Sequence, residues 1–288
     1  MQSEITPQLF GKEYISIQRV FSGEFSEAYE VKDSSSHRYF LELFRKGISP
    51  KKIAKEIQKE IYINSMGKKI SHLEYISSGS DLRTKKTYII YEWAEKGTLK
   101  NYLISGKCFD ERLSKITFWK IAKDINNLHK IGIAHRNITL DNILIDSYFN
   151  LKIAGFGSSQ FIKDVRLKEC SVIENDIFQL GVLLLQLISG RCDLKILESK
   201  LLKDIQKGKL ELLWRTIEMQ NNQKFSNDIK ALINIMLTIK YDKQKKWKLD
   251  ELLNAQAWFK DMESKENEDY FKEKLRQLED PEKNFLIQ

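Results

Sequence analysis

The sequence predicts an α+β fold in two parts, a strand-rich N-terminal part carrying one helix and a mainly helical C-terminal part. Three observations predict it. Up to about Gly97 the chain alternates short apolar runs rich in Tyr, Phe, Ile and Val with turn signals, the mark of strands. One segment among them, from about Pro50 to Met66, has helical character, with Pro50 suited to a first turn. Beyond Gly97 apolar residues recur at three- and four-residue steps.

In chain order, strands are expected at Tyr14 to Val20, Ala28 to Val31, Tyr39 to Phe44 and Thr87 to Glu92, with the Pro50 helix between the third and fourth. The boundary between the parts falls near Glu95 to Gly97. Phe118, Ile121, Ile125 and Leu128 then share one helix face, as do Ile229, Leu232, Ile233, Met236 and Leu237. Phe271, Leu275 and Leu278 form another such stripe in the charged stretch from Asp261 to Gln288, ahead of an apolar tail, Phe285 to Ile287.

A chain of 288 residues can bury a large core, and its 42% hydrophobic and 31% charged residues exclude a disordered or fibrous class. The net charge of +8 is spread along the chain. Lys51, Lys52, Lys55 and Lys59 alternating with Glu56 and Glu60 read as a solvated helix face. The densest basic cluster, Lys243 to Lys248, reads as a solvated loop, and a basic nucleic-acid-binding module is the remote alternative. Cys108, Cys170 and Cys192 are odd in number and far apart, which points to reduced thiols and an intracellular, cytoplasmic location. The start, "MQSEITPQLF", lacks an apolar signal core. The longest apolar run, around Leu180 to Ile188, is too short for a membrane span.

The stretch "IGIAHRNITLDNILID" resembles the catalytic loop H-R-D-L-x-x-x-N of the protein kinase family, with His135, Arg136 and Asn142 at the right spacing and Asn137 in place of the catalytic aspartate. The resemblance extends in order over about residues 14 to 259 and implies a two-lobed protein kinase-like fold: an N-lobe over 1–95 with one αC helix, a C-lobe over 96–259, and a helical extension over 260–288. "VFSGEFSEAYEV" resembles the glycine-rich loop, with Gly23 kept and Phe21, Ser26 and Ala28 replacing two glycines and the valine. "YFLEL" stands where V-A-I-K belongs, so Glu42 replaces the phosphate-binding lysine and Phe40 the small residue over the base. Glu60, or failing that Glu56, matches the αC glutamate; next to Glu42 it would repel rather than pair. Tyr91 resembles the gatekeeper, and Glu92 to Glu95 the hinge.

Further along, "AGFG" resembles D-F-G, with Gly155 in place of the magnesium-binding aspartate and Phe156 and Gly157 retained. "NDIFQLGVLLLQLISG" resembles the αF helix, with Asp176 as the buried anchor of the catalytic loop and Gly181 following. Gly155 and Asp176 lie close together for an activation segment, no A-P-E is present, and the prolines are Pro7, Pro50 and Pro281. "KLDELLNAQAWF" resembles the last helix, with Lys246 or Trp247 where an arginine is usual. The survivors, His135, Arg136, Phe156, Gly157, Asp176 and Gly181, hold a kinase core together. The residues that handle phosphate, metal and proton are mostly replaced.

An amide cannot serve as general base, which costs ~10²–10⁴ in rate, and each lost charge-stabilising group costs roughly 10²–10³ more. Even without full additivity, the losses together approach about 10⁶-fold. The resemblance therefore implies a pseudokinase, a catalytically inactive protein kinase-like domain. Its nucleotide site (Gly23, Glu60, Glu92, Asn142) is vestigial, Mg·ATP binding is weak or absent, and no metal is expected. Its role is that of a scaffold or allosteric subunit bound to a protein partner, an active kinase or a larger assembly. A weak or unconventional Ser/Thr-type kinase is the alternative. Phe271, Leu275 and Leu278 are the candidate docking residues, seated either on their own lobe or on a partner.

Overall fold

The computed structural model describes residues 9–10, 14–81, 84–104, 108–162, 170–192, 210–239, 248–255, 259 and 261–279. Residues 243–247 of the basic cluster, Ala257 and Trp258, the tail Phe285 to Ile287, and Pro7 and Pro281 lie outside them. The chain divides into two compact units. The first takes the described residues up to Gly97 together with Leu144–Gly157, and the second takes Thr98–Ile143 and those from Ser158 onward.

The first unit is built on an antiparallel sheet in the order β1-β2-β3-β4-β6-β5. Its strands are β1 (Leu9–Phe10), β2 (Tyr14–Ser22), β3 (Ser26–Lys32), β4 (Arg38–Phe44), β5 (Tyr75–Ser80) and β6 (Thr87–Glu92). Helix α1 (Pro50–Ser65) opens on proline, whose missing N–H would have had no partner in the first turn. The sheet is apolar on both faces because side chains alternate along each strand. Leu41, Leu43, Tyr88 and Ile90 join one cluster, whereas Phe44, Ile89 and Tyr91 join the other with Ile53 of α1. β5 escaped the sequence reading: "YISSGS" is small and polar, and only pairing with β6 makes it a strand.

Strands β8 (Ile143–Ile145) and β9 (Leu151–Ile153) form a hairpin, and the segment from Leu144 to Gly157 belongs to the first unit, not to the C-terminal part where the sequence reading left it. The reason is backbone pairing. Ile145 exchanges hydrogen bonds with Lys96 and Gly97, Leu73 donates to the Ile153 carbonyl, and Ile153 donates to that of Ser71.

The second unit is helical: α2 (Leu99–Ile104), α3 (Glu111–Lys130), α4 (Cys170–Ser189), α5 (Leu210–Asn221), α6 (Asn227–Thr238), α7 (Leu249–Ala255) and α8 (Lys265–Leu278). The short strands β7 (Ile133–Ala134) and β10 (Gln160–Phe161) pair within it. Asp110, Ser226 and Ser264 cap α3, α6 and α8, each accepting a backbone N–H of the first turn. The stripes of α3 and α6 are buried as their spacing requires. At Gly181 of α4 a Cβ would lie 2.8 Å from Cβ of Met236, so glycine lets α4 and α6 approach. Val172–Ser189 is long and apolar enough to cross a membrane by length and composition alone; most of it is buried in this unit, which accounts for its apolarity.

Helix α8 packs along α3. Phe271 and Leu275 are fully buried and Leu278 is half-buried, so the candidate docking stripe is spent mainly within the chain. Polar contacts flank it: Arg112 pairs with Glu266 at 2.7 Å, Lys120 pairs with Glu268, and Tyr270 donates to Asp110 at 2.7 Å. A fourteen-residue helix is marginal alone even when rich in Lys, Glu and Leu, and this burial stabilises it.

Candidate functional site

In the first unit, the positions that resemble a nucleotide site are bonded to one another. Glu42 on β4 accepts from the hydroxyl of Ser26, the residue in place of the third loop glycine, at 2.7 Å. Ala28 pairs with Glu42 across the β3–β4 ladder, and Ser26 lies two residues away on the same face. Burial pushes the Glu42 carboxyl up, against the Ser26 hydrogen bond. Gly23 closes the β2–β3 turn by donating to the Ser26 carbonyl, and the Phe21 ring covers it so closely that a Cβ would sit 2.7 Å from the ring. Arg45 fixes the same turn through the Gly23 carbonyl and the Ser22 hydroxyl, both at 2.8 Å.

Phe40 packs against Val20, Ala28 and Trp93 and stands 6.1 Å from the Tyr91 ring. The side chain at the base-covering position is therefore already in van der Waals use. Tyr91 donates to Glu60 of α1 at 3.1 Å, and Glu60 is 4% exposed. Burial, reinforced by Glu42 and Glu56, raises the Glu60 carboxyl to about 8, while the Tyr91 hydroxyl and Lys59 oppose the rise. Burial also raises Glu56, with Glu42 adding to it. Burial and the Glu60 charge push the Tyr91 hydroxyl well above its usual range.

Lys59 is buried and donates to the Gly157 carbonyl at 2.9 Å, and Glu56 faces Gly157. The solvated face expected at these positions is thus corrected: Glu56, Lys59 and Glu60 fall in the stripe of Ile53 and Ile63 and turn inward with it. Glu92 accepts from Lys152 and from the Glu74 amide, both at 3.0 Å, so its side chain ties β6 to β9 and to the residue before β5. Gly155 has φ +81, in the region that glycine enters without cost.

The second unit holds the catalytic-loop positions. Asp176 of α4 is fully buried and accepts from the backbone N–H groups of His135 and Arg136, each at 2.7 Å, with His129 Nε2 at 2.9 Å. Arg136 has φ +66, a strained value for a residue with a Cβ. Asp176 holds that conformation together with Gln179, which donates to the Arg136 carbonyl and accepts from Ile138 N–H. Asn142 spends its amide on the Asn137 carbonyl at 2.8 Å. The Asn137 N–H meets His135 Nδ1 at 3.2 Å. Sequence reasoning missed the Ser26–Glu42 and Tyr91–Glu60 pairs and the turn of Lys59 toward Gly157. The period-2 spacing of Ser26 and Ala28 and the α1 stripe carried the signal.

A family model described as the protein kinase domain matches residues 14–174. The chain is 30% identical to the probable serine/threonine-protein kinase KCC4 of Saccharomyces cerevisiae over 69% of its length and 20% of that protein. It is 27% identical to the ovarian-specific serine/threonine-protein kinase Lok of Drosophila melanogaster, over 69% of this chain and 45% of that one. It is 38% identical to the NUAK family SNF1-like kinase 1 of Mus musculus, over 36% of this chain and 15% of that one. The chain spans less than half the length of these relatives.

Proposed function

The chain belongs to the protein kinase domain family, and from that premise we propose that it is a degenerate member, a pseudokinase that acts by binding rather than by phosphotransfer. One observation carries the reading: the carboxylate at the phosphate-binding lysine position is satisfied by the serine at a loop-glycine position. A kinase site built for nucleotide offers a lysine to the phosphates and a carboxylate to the metal. Here Ser26, Glu42, Glu60 and Tyr91 satisfy one another, and Lys59 is turned to a carbonyl. An incoming triphosphate would face Glu42 and meet no metal-binding carboxylate at Gly155.

The function that follows is that of a scaffold or allosteric subunit for an intracellular protein partner, an active kinase or a larger assembly. Cys108 and Cys192 as free thiols are compatible with a reducing compartment. The second reading is Ser/Thr-type phosphotransfer. Its support is the naming of the relatives as serine/threonine kinases and the intact Asp176 anchor. Calorimetric titration with Mg·ATP separates the two. No heat of binding is expected at millimolar nucleotide. A ligand at 100 times its dissociation constant would stabilise the fold by about 2.7 kcal/mol, so a matching rise in melting temperature would overturn the proposal.

A further inference from the structure

Helix α1 is seated by an arrangement that uses a proton. Glu60 lies beneath it at 4% exposure, and its hydrogen-bond partner is a neutral hydroxyl, Tyr91 of β6. The other titratable and charged groups around this seat are Glu42 from β4, Glu56, Lys59 and Lys52 from α1 itself, and Tyr75 of β5, whose hydroxyl meets that of Ser78. At the C-terminal end of α1, His72 bonds Asn64. Lys59, the cation beside Glu60, directs its ammonium to the Gly157 carbonyl. The Tyr91 hydroxyl donates to the Glu60 carboxyl and so favours its charged form, whereas burial, the larger effect, favours the protonated one. An ionised Glu60 would add a buried negative charge beside two further carboxylates, at a site where burial disfavours charge.

We propose that α1 is a proton-gated helix, seated on β6 while Glu60 is protonated and loosened as that carboxyl ionises. The device is a property of the first unit and holds whether or not the chain transfers phosphate. The direction follows from linkage. The seated helix keeps the proton up to about 8, while a released Glu60 loses it near the ordinary carboxylate value of 4.5. Seating therefore weakens as pH rises through that interval, by at most about tenfold per pH unit, and levels off above it. Neutral pH falls inside the interval, so modest changes in local charge, such as a partner's cation brought near Glu42, would shift the balance.

Amide hydrogen exchange of the whole chain tests this without nucleotide. Protection factors for Ile53 to Ile63, corrected for intrinsic rates and referred to α3, are compared at about pH 5.5 and about pH 8.5. The wild type should lose at least about tenfold in α1 protection, and Glu60→Gln, which mimics the protonated state, should lose none. Equal loss in both, or no loss in the wild type, would overturn the proposal. Should Glu60→Gln misfold, Tyr91→Phe keeps the carboxyl and removes the hydroxyl that favours its charged form. That variant should move the wild-type transition to higher pH, and an unmoved transition would count against the gate.

Discussion

The two units use the positions of the kinase resemblance differently. In the second unit the backbone machinery is kept: Asp176 still holds the strained Arg136 and its neighbour through two 2.7 Å hydrogen bonds. In the first unit the side chains of Ser26, Glu42, Glu60, Tyr91 and Lys59 are bonded among themselves or to backbone. Anchors of backbone conformation serve the fold whatever the function, because a buried N–H without a partner is costly. Groups that hold phosphate and metal serve the ligand alone. Once they are replaced, their buried successors must be satisfied by something else in the protein. The comparison thus divides residues kept for folding from residues kept for chemistry.

The largest expected effect tests the conserved half. Asp176→Ala leaves the buried His135 N–H, the half-buried Arg136 N–H and His129 without their acceptor, and should cost on the order of 4 kcal/mol. Denaturant unfolding would measure it, and a loss under about 1 kcal/mol would mean that the anchor is dispensable. Slightly smaller is Phe271→Ala, which empties a fully buried site beneath α8 and should cost about 3 kcal/mol or more. If α8 instead served mainly a partner, the isolated chain would melt unchanged and only co-purification would suffer.

The first unit is tested by pH. Glu60 is raised in the folded state, so the folded protein holds a proton that the unfolded chain releases, and stability falls as pH rises from about 4.5 through about 8. Glu60→Gln should remove that fall. It should stabilise the protein above pH 8 by at most about 1.4 kcal/mol for each pH unit of that interval, with the advantage fading toward zero at acid pH. Melting curves of both proteins across that range would show the gap opening upward; a constant gap would mean that Glu60 is ionised throughout.

How much of this was legible in the sequence depends on what kind of force fixes each feature. The strands at Arg38–Phe44 and Thr87–Glu92 and the stripes of α3 and α6 follow from apolar spacing, which is local and readable. The anchor at Asp176 was readable by resemblance because its partners are backbone groups that every sequence has. The placement of Leu144–Gly157 was not, since it rests on backbone pairing with Ser71, Leu73, Lys96 and Gly97, which side-chain pattern does not report. Nor was the inward turn of Glu56, Lys59 and Glu60. Charged residues in alternation read as solvated, and only the position of the Ile53–Ile63 stripe shows that this face is covered. Phe271 and Leu275 were readable as buried, but a stripe cannot say which surface it meets.

The smallest expected effect lies where the two halves are compared most directly, at the missing base. Asn137 is half-buried, and its backbone bonds on both sides: its N–H to His135 Nδ1 and its carbonyl to Asn142. Asn137→Asp changes none of these, so stability should stay within about 0.5 kcal/mol. On the proposed reading, phosphotransfer should not appear either. A restored general base contributes ~10²–10⁴ only when a phosphoryl group is held for attack, and that reading gives Glu42 and Gly155 no part in holding one. Adding Glu42→Lys to the reversion should recover little, because Ser26 would lose its acceptor while Gly155 still supplies no metal ligand. Radiolabelled phosphate transfer to a generic acceptor protein is the measurement. Strong labelling by the single reversion would show that the first unit still delivers nucleotide, and that its internal hydrogen bonds open on demand.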